Sequence, residues 1–336
     1  MVNWGVHGHD WAVERLARAI RSGRVRHAYL ILGAESLGKE TLARAFAMTR
    51  NCLALTYDDQ GLPQPCGTCS SCRRTISDSH PDVLFAENDA TTGTLRIEEI
   101  RRVTGLLAMK PFEAHYRVAI FRDFHRAREM AQDALLKTLE EPPPHAMIIL
   151  LAPSIEGILP TITSRTQRIQ LHPVSAQSLY DILATHYHTE DALARLLANV
   201  SGGRIGWALR ALEDPDLLET RRAALDLLES LLEMNRAGRF SHAEELAKEK
   251  APPIALLELW QTYWRDVLLI GAGSDLPLAN IDREDRLRRL SMGLQPGEAL
   301  AALNATRELA RVLATTNANP RLALEVTLLD YPGLLR

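Results

Sequence analysis

The sequence predicts a parallel α/β sheet built on a phosphate loop, followed by a region that is helical to its end. Three observations carry this. Apolar runs of strand type alternate with helical periodicities as far as residue 172. A glycine–lysine stretch, Gly33-Ala34-Glu35-Ser36-Leu37-Gly38-Lys39-Glu40-Thr41, lies between one such run and one such helix. From Pro173 onward the strand signal stops and leucine stripes recur at helical spacing.

Composition bounds the function. The 336 residues leave room for two or three domains, and 46% hydrophobic with 24% charged residues reads as a soluble globular protein. Thirty-nine basic and 42 acidic residues give a net charge of −3, which does not support nucleic-acid or membrane attraction by bulk charge. The sequence shows neither a signal peptide nor an apolar run of ~18 residues, so a cytoplasmic protein with no membrane partner is expected. Its four cysteines then suggest metal binding or free thiols in a reducing compartment.

Taken in order, Asp10 is expected to cap a first helix with Val13, Leu16, Ala17 and Ile20 on one face, ended by Ser22-Gly23. Ala28–Leu32 is a strand and Leu42–Ala47 a helix, the context that makes the phosphate loop credible. In such a loop, backbone N–H groups and the helix N-terminus hold phosphates, and the lysine, here Lys39, reaches the terminal ones. The next position, where a hydroxyl holds Mg²⁺, is Glu40, and Thr41 stands a further ~100° round the helix. A carboxylate at a helix N-terminus is favourable by about 0.3–1 kcal/mol but is repelled by phosphates, so Glu40 suits an empty loop better than a loaded one.

Cys52 closes the loop's helix, and Cys66, Cys69 and Cys72 follow at three-residue intervals. Three sulfurs so spaced reach one ion, and Cys52 completes a tetrahedral thiolate set. Structural Zn²⁺ is the favoured reading. An iron–sulfur cluster is the runner-up, although Arg73-Arg74 stands where a ferredoxin motif would lead to a fourth cysteine and proline.

Asp82–Ala86 is a short strand, Ile97–Leu107 a helix, and Arg117–Asp123 an apolar strand ending in charge. A nucleotide motor carries its Mg²⁺ carboxylate there, often followed by a glutamate. This chain has Arg122 and Asp123, and a guanidinium has no lone pair to offer a metal. Arg128–Leu139 is a helix with Met130, Ala131, Ala134, Leu135, Thr138 and Leu139 inward or flanking, stopped by Pro142-Pro143-Pro144. Strands follow at Met147–Leu151 and around Arg168–Leu171. The leucine stripes beyond Pro215 read as core, and no chemistry is legible in them.

With these residues in view, the chain resembles the delta-prime subunits of the bacterial DNA polymerase III clamp loader, within the AAA+ superfamily. Ala134-Leu135-Leu136-Lys137-Thr138-Leu139-Glu140-Glu141-Pro142-Pro143 is close to a signature of clamp-loader subunits, and Arg26-His27-Ala28-Tyr29 is similar to the lead-in to their phosphate loop. The four cysteines resemble their zinc module, and Ser164-Arg165-Thr166 resembles their Ser-Arg-Cys motif.

The resemblance implies an α/β P-loop (AAA+/RecA-like) domain over residues 1–172 with a four-cysteine zinc module at about 50–75, a helical lid over 173–212 and an all-α collar over 213–336. It also implies a scaffold that assembles with gamma/tau and delta subunits to place the sliding clamp on primer-template DNA. Arg165 would act in trans, as an arginine finger in a neighbour's ATP site. The departures are Glu40, Arg122, Ala152 in a polar sensor's place and Gly206 in that of a lid arginine. They imply no ATP hydrolysis on the degenerate loop of Gly33, Gly38, Lys39 and Thr41, and leave ATP binding there doubtful. By this register Glu40 and Arg122 both face the Mg²⁺ position, and they are expected within ~4 Å of each other, closing it. Two alternatives stay open: a hydrolysing gamma/tau-like motor, and a stand-alone zinc module that binds nucleic acid.

Overall fold

The computed structural model describes residues 4–248, 253–295, 297–316 and 318–333. Two compact units emerge: Met1–Ile182 with Gly203–Trp207, and Leu183–Gly202 with Ala208–Arg336.

The first unit is a five-stranded parallel sheet in the order β4-β5-β6-β1-β7. Its strands are β1 (Ala28–Leu32), β4 (Val83–Ala86), β5 (Arg117–Phe121), β6 (Ala146–Ala152) and β7 (Gln167–Gln170). The central strands β1, β5 and β6 are buried along their whole length, which is why they read as unbroken apolar runs. Helices α1 (Asp10–Arg21) and α2 (Lys39–Asn51) bury Val13, Leu16, Leu42 and Phe46 on one face of the sheet. Helices α4 (Ile97–Ala108) and α5 (Glu129–Glu140) bury Ile100, Val103, Leu135 and Leu139 on the other. Register sets the working edge. Leu32 pairs with Ala152 and with Gln170, and Phe121 with Leu150, so Gly33 and Arg122 leave the sheet at the same end.

The structure departs from expectation at Asp10 and Met130. The cap of α1 is His9, whose ring Nε2 stands 2.9 Å from the Leu37 carbonyl; Asp10 is the first helical residue, where its charge suits the helix dipole. Met130 is 76% exposed, because the inward face of α5 runs through Ala131, Leu135 and Leu139. Strand β5 also holds a buried charge: Arg117 donates through Nε and Nη2 to Asp82, 3.1 and 2.8 Å away. Asp82 accepts the N–H groups of Phe112, Glu113 and Ala114 as well. Burial alone would raise its pKa, but these donors outweigh it and hold the carboxyl down to about 2.

Between α2 and β4 lie a small hairpin, β2 (Thr56–Tyr57) and β3 (Pro63–Gln64), and the short helix α3 (Ser70–Ile76).

The second unit is helical among its described residues. Its core gathers Leu225, Leu228, Leu231, Leu257, Trp260, Tyr263, Trp264, Leu324 and Leu328. These come from α10 (Asp216–Glu233), α12 (Ile254–Gly271) and α15 (Pro320–Asp330). Trp260, Tyr263 and Trp264 are aromatic members of that core, each nearly fully buried. Arg239 on α11 (Arg236–Ala247) is fully buried and donates to the carbonyls of Leu328, Tyr331, Leu232 and Pro332. Among the described residues, no helix is long and apolar enough to cross a membrane.

Candidate functional site

The phosphate loop joins β1 to α2. Gly33 has φ 147°, and a Cβ there would stand 2.9 Å from the Leu171 carbonyl oxygen, so both conformation and space require glycine. Gly38, at φ 90°, is the N-cap of α2. Lys39 is turned back onto its own loop, with Nζ donating to the carbonyls of Gly33 at 2.6 Å and Ala34 at 2.8 Å. Burial lowers its pKa, against the opposing pull of Glu35 and Asp123.

Beside the lysine, the structure brings Glu40 and Arg122 together. Arg122 Nε donates to Glu40 Oε2 at 2.9 Å and its Nη2 to Oε1 at 2.6 Å. Arg44, one helical turn on, donates to the same Oε1 at 2.6 Å. Asp78, in the turn after α3, pairs with Arg44 and lies 3.4 Å from Arg122 Nη2. Both guanidiniums sit over the Phe85 ring, 4.7 Å from its centroid for Arg44 and 4.5 Å for Arg122.

Burial would raise the Glu40 pKa, but Arg122 and Arg44 more than offset it and hold the carboxyl below its ordinary value. Asp78 is held low chiefly by its bond from Arg44. Two cations and two anions thus form a locally neutral knot. Neither carboxylate of this cluster is free of a guanidinium, and neither arginine can ligate a metal. Thr41 is exposed. Ala152 is buried at the end of β6, where its carbonyl accepts from Gly33 N.

Arg44, Asp78 and Phe85 were not singled out from sequence. Arg44 had a signal, its i,i+4 spacing from Glu40. Asp78 had none, because only the fold carries it back to α2.

The four cysteines converge. Their Sγ atoms all lie within 4.8 Å of one another, with Cys52 to Cys69 and Cys66 to Cys72 both at 4.0 Å, and none is in a disulfide. Four sulfurs ~2.3 Å from a single tetrahedral ion stand about 3.8 Å apart, so the donor set fits one ion. Backbone N–H groups of Cys66, Cys69 and Cys72 point at the preceding sulfurs of the set, at 3.4, 3.3 and 3.4 Å. Those of Cys69 and Thr68 draw the Cys66 thiol down to about 6, while burial raises Cys52 and Cys72. Arg44 ties this module to α2 by donating to the Thr75 carbonyl at 2.9 Å.

Arg165 follows the short helix α6 (Pro160–Thr163). Its Nη1 donates to the Thr161 carbonyl at 3.0 Å and its Nη2 pairs with Glu140 at 2.7 Å. It belongs to neither the knot nor the cysteine cluster.

Comparison with known proteins identifies relatives. Residues 8–175 match the family described as DNA polymerase III, delta subunit. DNA polymerase III subunit tau of Bacillus subtilis is 28% identical over 88% of this chain and 55% of its own length, so this chain spans about half of that relative. DNA polymerase III subunit delta' of the same organism is 27% identical over 77% of both chains. A solved structure of a gamma subunit-related protein from Thermotoga maritima is similar over 95% of this chain and 97% of its own, at 19% identity and a TM-score of 0.44. On the match that runs from the turn before α1 to beyond β7, this chain belongs to the DNA polymerase III delta-subunit family of clamp-loader proteins.

Proposed function

We propose that this chain is the non-hydrolysing delta-prime scaffold of a clamp loader. It assembles with gamma/tau and delta subunits, helps place the sliding clamp on primer-template DNA, and supplies Arg165 in trans to a neighbour's ATP. The observation that carries this reading is the Glu40–Arg122 ion pair at 2.6 Å. The side chains at the two positions a motor uses for Mg²⁺ hold each other instead, and Lys39 is spent on its own loop. In this reading the sheet over residues 1–172 is the retired motor, 173–212 its lid and 213–336 a collar.

Cys52, Cys66, Cys69 and Cys72 would hold a structural Zn²⁺ with no position left open to water. Their mutual closeness supports a single ion over a cluster of several irons. The ion would fasten the hairpin and α3 to the end of α2.

The kept residues Gly33, Gly38 and Lys39, with the tau relative, favour one second reading, a hydrolysing motor. An ATPase assay separates the two. The purified chain with Mg²⁺ and ATP is expected to show no turnover that Lys39→Ala abolishes. A complex assembled with the other subunits and carrying Arg165→Ala is expected to lose DNA-stimulated ATPase at the adjoining site, where such arginines are worth on the order of 10³–10⁵ in rate. Undiminished turnover removes the trans role, and Lys39-dependent turnover of the lone chain removes the scaffold reading.

A further inference from the structure

At the end of the sheet away from the phosphate loop, the first unit holds a pocket of about 240 Å³. Arg26 stands just ahead of β1, Tyr116 just ahead of β5, and Met147 near the start of β6, whereas Gly33 and Arg122 leave the far ends of β1 and β5. Further walls come from Arg50, in the last turn of α2, and from the proline run after α5. No aspartate or glutamate lines the pocket.

Part of this pocket is fixed in advance. Asn51, fully buried, accepts from the Tyr116 backbone N–H at 3.0 Å and donates to its carbonyl at 2.9 Å. The Arg50 guanidinium lies over the ring so held, 3.7 Å from its centroid. Pro143 gives its carbonyl to the Ala146 N–H at 2.9 Å, and prolines carry no N–H, so that wall presents mainly ring carbon. The two guanidiniums remain without counter-charge. Among the described residues neither Arg26 nor Arg50 makes an ion pair, and Arg50 Nε is buried with no hydrogen-bond partner. A cation in the last turn of α2 suits the helix dipole, which accounts for Arg50 but not for a second arginine lining the same pocket.

A guanidinium stacked by one face keeps its in-plane N–H donors for a planar acceptor, and a carboxylate matches them two at a time. Volume decides the rest of the ligand. The pocket falls below the range of sites that engulf a small molecule, but it suits one large side chain used as an anchor while its own chain runs outside. Tyr116, the prolines and the Met147 thioether are surfaces that an aromatic ring packs against.

We propose that this pocket is a docking site for another protein, one that presents an extended acidic segment with a single aromatic side chain. The ring enters the pocket, and a neighbouring carboxylate takes the free donors of Arg50. Arg26, whose side chain is exposed, draws in the acidic flank. Neither the phosphate loop nor Arg165 takes part.

The test uses the whole purified chain and an acetylated pentapeptide in which two aspartates flank a fluorinated tryptophan, followed by fluorine NMR at about 50 mM salt, where charge contacts are little screened. A Kd below about 1 mM is expected. Arg50→Ala is expected to weaken binding by about tenfold or more, and Arg26→Glu severalfold with an unchanged melting temperature, since that side chain is exposed. Arg26→Glu keeps the test decisive if Arg50→Ala, which strips a cation from the end of α2, fails to fold. Arg168→Ala, outside the pocket, is expected to bind as wild type does. Competitor peptides with glycine for the tryptophan, or lysine for both aspartates, are expected not to displace the probe. Failure to bind at millimolar peptide overturns the proposal, as does unchanged affinity in Arg26→Glu or loss of binding in Arg168→Ala. Displacement by either competitor also overturns it, because charge or ring alone would then suffice, and so does displacement by a short DNA duplex, which would mark a nucleic-acid surface.

Discussion

Arg122, the residue after β5, reaches Glu40 on the first turn of α2 through two of its nitrogens, although 82 positions separate them in sequence. The pair is bidentate, but its side chains are 36% and 39% exposed, so solvent screens it. A double-mutant cycle of Glu40→Ala and Arg122→Ala, read by urea unfolding at neutral pH, is expected to give a coupling of about 0.5–1 kcal/mol. The sign with pH follows from the lowered Glu40 pKa. Its contribution is complete above the ordinary carboxylate range and fades as pH falls through the depressed value. A coupling as large at low pH as at neutral pH would contradict this.

The cysteine set is expected to bind one zinc per chain by metal analysis, and Cys69→Ser to abolish it. Metal removal should reach beyond the sulfurs, because Asp78 and the Thr75 carbonyl are both bonded to Arg44. Hydrogen exchange after chelation is expected to rise through 52–80 and in the first turns of α2. A rise confined to the cysteine loop would show that the bonds to Arg44 transmit nothing.

Asp82 and Arg117 form a buried pair, and removing one partner leaves the other charge stranded. Asp82→Asn is expected to cost about 3–5 kcal/mol by chemical unfolding. Because the carboxyl is held at about 2 from an ordinary 3.8, it supplies about 2 kcal/mol that is complete above pH 4 or so and is lost as pH falls toward 2. Acid unfolding of the variant should therefore be flatter than that of the wild type over that interval.

In the helical unit, Arg239 binds backbone carbonyls alone, from Leu232, Leu328, Tyr331 and Pro332. Arg239→Met is expected to destabilise by at least ~3 kcal/mol, because several buried carbonyls lose their donor together. Arg239→Lys should recover little of it, since one ammonium cannot span the fork. Full recovery by lysine, measured by thermal unfolding, would show that charge alone matters there.

Much of this was legible because the signals were local or periodic. Unbroken apolar runs marked β1, β5 and β6, since both faces of each are covered. The cysteine spacing pointed to a shared site, and counting positions along two motifs placed Glu40 beside Arg122. What escaped was non-local or a matter of phase. Arg117 carries no local sign of its buried pairing, because its partner lies 35 residues earlier. Met130 shared the period of α5 yet fell outside its buried stripe. The pocket beside Arg50 draws on four separated stretches, none of which carries a motif for it.

The backbone N–H of Gly206 donates to the Ser36 carbonyl at 2.8 Å, and a Cβ at position 206 would stand 3.0 Å from that same oxygen. A side chain cannot be placed here without moving the turn beneath it. Any variant that puts a longer residue at 206 to reach the phosphate loop would therefore demand a shift of backbone as well as an exchange of residues.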